Sequence, residues 1–69
     1  MQTPSYDTFE RVPTGHGRTY QISRVILDDD LAGISGPVPV RYFGREIKTD
    51  GSLSPIEAYL WWLDETVQQ

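Results

Sequence analysis

The sequence predicts an α+β domain: a three-stranded antiparallel sheet, in β-β-β-α order, with one C-terminal helix packed on one face. Three observations carry this. Two runs, "RTYQISRVIL" and "VPVRYFGREI", are dense in β-branched and aromatic residues. Clusters of Pro, Gly and Asp, "PTGHG" and "KTDGS", punctuate those runs as turns. The segment "SPIEAYLWWLDE" opens with a helix-start signature and spaces its apolar residues as a helix does.

All 69 residues are expected to form one small domain, with residues 1–5 as a loose N-terminus. A first strand is expected over residues 6–12, ending at the "PTGHG" turn. The second strand sets Tyr20 and Ile22 against Gln21 and Ser23, then loses phase at Arg24. A bulge near Arg24 would return Val25 and Leu27 to the apolar face. "DDDLAGISGP" follows as a long acidic loop. Pro39 cannot donate to a ladder, so the third strand is expected to begin at a sheet edge, and Gly44 to mark a bulge or a turn. Ser54 as N-cap, Pro55 at the first helical position and Glu57 closing a capping box predict a helix over residues 54–67.

The net charge is −4, and it is unevenly distributed. Residues 1–49 hold six basic and six acidic side chains, whereas residues 50–69 hold Asp50, Glu57, Asp64 and Glu65 and no base. Such a block repels nucleic acid and steers toward a basic protein surface. There is no cysteine, which suits a reducing compartment and removes the commonest zinc ligand. The opening residues carry no basic region followed by an apolar run, and no apolar stretch approaches the ~20 residues of a membrane span. A soluble, cytoplasmic protein is expected.

At about 100° per residue, Ile56, Leu60, Leu63 and Val67 form the sheet-facing stripe of the expected helix. Trp62 lies at the stripe's margin, and Trp61 falls among Glu57, Asp64 and Glu65. A large aromatic ringed by carboxylates has the character of a binding anchor. The competing reading covers Trp61 with Leu31 and Ile34 of the acidic loop.

Catalytic and cofactor chemistry finds little support. "DDDLAG" starts like a calcium loop, but Ala32 and Pro39 stand where ligands are needed. His16 lies between two glycines in a turn, a poor place to hold a catalytic geometry. "GHG" is followed by Tyr20 where a dinucleotide fingerprint needs glycine. No cofactor, metal site or enzymatic activity is expected. Arg41, Tyr42, Phe43 and Arg45 interleave basic and aromatic residues as sheet-based RNA binders do, although the net charge has the wrong sign for phosphate.

In its short, acidic, cysteine-free make-up and its acidic aromatic segment "EAYLWWLDE", the chain resembles the small acidic inhibitors that phages encode, notably the anti-CRISPR proteins. That resemblance implies binding to a host nucleic-acid-handling complex, with acidic side chains standing where phosphate is expected. The expected function is a non-enzymatic protein-binding module for a partner with a basic surface. Trp61 is the anchor, and Glu57, Asp64, Glu65, Asp28, Asp29 and Asp30 form the acidic footprint. The alternatives are a homodimer that buries Trp61 and the open sheet face, with the third strand pairing to its copy, and RNA binding through the sheet.

Overall fold

The computed structural model describes residues 3–28 and 37–68. Its elements are β1 (Arg11–Pro13), β2 (Thr19–Leu27), β3 (Pro37–Ile47), β4 (Ala58–Tyr59), a single 3₁₀ turn (Trp61–Leu63) and β5 (Glu65–Gln68). They form one antiparallel sheet of five strands in the order β1-β2-β3, with β4 and β5 both paired to the far side of β3. The expected α+β architecture is therefore corrected to an all-β one. Among the described residues there is no α-helix, and none long and apolar enough to cross a membrane.

The segment expected to be a helix instead returns along β3 as a broken strand. Leu53 bridges Ile47, Ala58 and Tyr59 pair with Gly44 and Phe43, and residues 65–68 pair with residues 37–40. The cause is the backbone of β3. Asp28 N–H donates to the Pro39 carbonyl, so odd-numbered residues of β3 direct their peptide groups toward β2. The even-numbered ones, Val38 to Glu46, point to the other side and need partners of their own. The C-terminal segment supplies them: Leu60 N–H donates to Tyr42 and Ser54 N–H to Glu46. A lone helix of this length is marginal in water, and its Tyr, Trp, Thr and Val residues suit a strand equally well. Ser54 does not cap a helix. Its hydroxyl accepts the Ile56 N–H two residues on, a local turn.

β3 is thus the central strand, not an edge. Pro39 is tolerated because its nitrogen faces β2 opposite Asp28, where its carbonyl still accepts the Asp28 N–H and one ladder bond alone is forgone. Gly44 is not a turn tip, and it is not itself the extra residue of a bulge, but it lies across from one, at the step where the β2 register shifts. It pairs with Ile22 and Ala58 in mid-strand, and a Cβ there would lie 2.5 Å from the Gln21 carbonyl oxygen and 3.0 Å from Leu60 Cδ1.

The register of β2 against β3 shifts between Ile22 and Arg24. This leaves Ser23 as the extra residue and keeps Tyr20, Ile22, Val25 and Leu27 on one face. That face carries the core: Val12, Ile22, Val38, Val40, Tyr42, Leu60 and Val67. It is covered by Tyr6 from the N-terminal segment and by Leu63 of the 3₁₀ turn. The first strand is shorter than expected: Tyr6 packs on the core face, and residues 7–9 are exposed before β1 begins. Phe9, at φ 67°, turns the chain toward β2, where its N–H donates to Ile22.

Candidate functional site: an aromatic cleft

Between residues 59 and 65 the returning strand leaves the ladder and arches over the core face. The arch carries Trp61 and Trp62. Leu60, its first residue, is fully buried over Gly44, which fixes the root of the arch. Leu63 N–H donates back to the Leu60 carbonyl and Asp64 N–H to that of Trp61, closing the turn.

Trp62 packs edge-to-face on Tyr20, with ring centroids 5.7 Å apart, and Trp61 stands at 89° to Trp62 at 5.8 Å. Trp61 is 66% exposed and Trp62 39%. Opposite them is the loop between β1 and β2. The Thr14 hydroxyl organises this loop, donating to the Arg18 carbonyl and accepting from the His16 and Arg18 amides. Gly17 takes the positive φ, 79°, that the tight return requires. The three aromatic rings and Thr14, Gly15, His16 and Arg18 enclose an open cleft of about 650 Å³. Arg18 on its rim pairs at 3.7 Å with Glu46.

The carboxylates expected around Trp61 are dispersed by the loss of the helix. Glu57 lies on the opposite, outer face of the sheet. Its Oε1 accepts from Arg24 Nε at 3.0 Å and Nη2 at 2.5 Å, and its Oε2 from the Ser23 hydroxyl at 2.5 Å. The Ser23 bond first, and Arg24 second, hold this carboxyl below its ordinary range. Asp64 accepts the Tyr59 hydroxyl, which raises the phenol. Glu65 turns into the core face, where its Oε1 accepts the Tyr42 hydroxyl at 2.9 Å and the Ser5 N–H at 2.7 Å. Burial opposes its ionisation, but these bonds outweigh burial and lower its pKa. Asp28 follows β2, and its N–H donates to the Pro39 carbonyl at 3.0 Å. Asp29 and Asp30, and the covering of Trp61 by Leu31 and Ile34, lie outside the described residues.

The residues of the RNA reading are split between faces. Tyr42 is fully buried, whereas Arg41 and Arg45 are exposed on the outer face. Phe43 beside them is already flanked by the Arg24 guanidinium, 4.7 Å from its centroid, and by Tyr59, stacked at 5.1 Å. This ring is therefore engaged within the fold.

Among the described residues, no cluster of three or more His, Asp or Glu side chains could hold a metal ion. Tyr20, Trp62 and the 14–18 loop are the site residues that sequence reasoning missed. Their only signal was the glycine-rich turn, because a helical frame places Trp62 at a core margin and says nothing of Tyr20. No protein-family model matches the chain, and no curated protein or solved structure is significantly similar to it.

Proposed function

We propose that this protein is a non-enzymatic protein-binding module that takes an extended segment of its partner into the cleft between Trp61, Trp62 and Tyr20 and the 14–18 loop. The observation that supports this reading is Trp61 itself, 66% exposed at the cleft mouth and held edge-on to a second tryptophan. Exposing two indoles is costly unless something buries them. Orthogonal rings leave slots that suit aliphatic or proline side chains, the logic of aromatic grooves that read extended peptides. The net charge of −4 favours basic partners, through encounter rate more than affinity. The narrower reading, an anti-CRISPR-type inhibitor, needs Glu57, Asp64 and Glu65 to exchange their internal bonds for contacts with a basic surface.

The test is selection of binders from a displayed peptide library, followed by titration of the full chain with each peptide by tryptophan fluorescence. Trp61→Ala is expected to weaken binding by about tenfold or more, as truncated aromatic anchors do, without lowering the thermal midpoint. Failure to select any binder, or equal affinity of wild type and variant, would overturn the reading.

A further inference from the structure

Among the described residues the sheet has one long unpaired apolar edge, and it lies on β2. The far side of β3 is covered by β4 and β5, and β1 is a three-residue strand ending in Pro13. β1 and the Phe9 and Glu10 backbone cover β2 only as far as Ile22. Beyond the bulge, Asp28 N–H points to β3. By alternation, the peptide groups of Val25 and Leu27 point outward, and they have no hydrogen-bond partner among the described residues. The side chains beside them are apolar and accessible: Ile26 is 37% and Leu27 44% exposed. An edge of this kind is a template for strand addition.

The sequence of that edge, Arg24, Val25, Ile26, Leu27 and Asp28, is its own antiparallel complement. Pairing two copies about a two-fold axis at Ile26 sets Arg24 against the partner's Asp28, Val25 against the partner's Leu27, and Ile26 against the partner's Ile26. The outward peptide groups of Val25 and Leu27 then bond to those of the partner's Leu27 and the partner's Val25. Val25 and Leu27 lie on the core face, so the two cores become continuous. Arg24, Ile26 and Asp28 share the outer face, so each end sets the partner's Asp28 carboxylate across from a guanidinium that is held within its own chain by Glu57 through Nε and Nη2. The register stops at Arg24, clear of the Phe9 and Glu10 backbone. A two-fold axis at Val25 would instead oppose Arg24 to Ile26 and leave Asp28 without its cation.

We infer that this protein forms an isologous dimer through antiparallel pairing of residues 24–28 of β2, which joins the sheets of two copies into one. The cleft lies outside this contact, so the inference stands independently of the proposed function.

Sedimentation equilibrium of the full chain tests it, with circular dichroism confirming that each variant folds. Wild type is expected to rise from 7.9 kDa toward twice that mass at concentrations below about 1 mM, the range of weak but specific association. Ile26→Lys sets two ammonium groups face to face and is expected to remain monomeric. Asp28→Arg opposes two guanidinium groups at each end and is expected to weaken association by about tenfold or more. Arg24→Asp opposes two carboxylates at each end and is expected to do likewise. Mixing the Asp28→Arg and Arg24→Asp variants should restore the dimer as a heterodimer, because both ends of the contact then oppose a guanidinium to a carboxylate. A monomeric wild type throughout the range would overturn the inference. So would a dimer indifferent to both Ile26→Lys and Asp28→Arg, or folded single variants that fail to associate when mixed.

Discussion

Tyr42 joins three parts of the chain through one hydroxyl. It accepts from the Tyr6 N–H at 3.4 Å and donates to Glu65, which also accepts from Ser5. The N-terminal segment, the central strand and β5 are thereby tied together, and the Tyr6 ring packs edge-on to Tyr42 at 5.5 Å. Burial first, and the bond to Glu65 second, push the Tyr42 phenol up to about 12. Its contribution to stability is therefore complete below the ordinary phenol pKa near 10 and is lost as pH rises toward 12. The lowered Glu65 contributes above the ordinary carboxylate range and is lost as pH falls through its folded value. Tyr42→Phe is expected to cost about 1.5–3 kcal/mol at neutral pH, the worth of a hydrogen bond to a charged group. Urea midpoints measured across pH check this. The variant should also show a flatter decline above pH ~10 than wild type.

At the scale of elements, the decisive contact is Leu60 on Gly44. The glycine gives the sheet a depression, and Leu60 fills it at the root of the arch that raises both tryptophans. Gly44→Ala would drive a Cβ into backbone at 2.5 Å. It is expected to destabilise the protein by about 1–3 kcal/mol or more, the range of overpacked cores, and to increase solvent exposure of Trp62. Equilibrium unfolding and a shift of tryptophan emission measure the two effects. Substituting Gly15, where nothing lies within 4 Å, provides the contrast. On the outer face, Glu57, Arg24, Phe43, Tyr59 and Asp64 form a continuous chain of hydrogen bonds and ring contacts across three strands. No second layer covers that face among the described residues.

At the scale of the molecule, the result is an elongated sheet, 45 × 20 × 16 Å, with seven buried core side chains among the described residues. So little burial makes added surface valuable, and both the cleft and the β2 edge offer it. The far-ultraviolet circular dichroism spectrum is expected to show β-sheet character without the paired minima of an α-helix. A helical contribution matching residues 54–67 would contradict the course of the returning strand.

Several features were legible in the sequence because they depend on local chemistry. The proline and glycines of the first turn, the β-branched run of β2, the phase slip near Arg24 and the extent of β3 follow from turn residues and period-two alternation. The helical frame that places Trp61 at the surface does not exist; the 3₁₀ turn of the arch exposes it instead. Tertiary structure decided the rest. A capping signature and a helical stripe over residues 54–67 describe what that segment would do alone. Beside it runs an eleven-residue strand whose outward peptide groups must be paired. Pairing them outweighs local propensity, turns the helix into a broken strand and moves Glu57 to the opposite face. It also brings Tyr20 and the 14–18 loop to the tryptophans, a meeting of residues more than forty positions apart that no local pattern encodes.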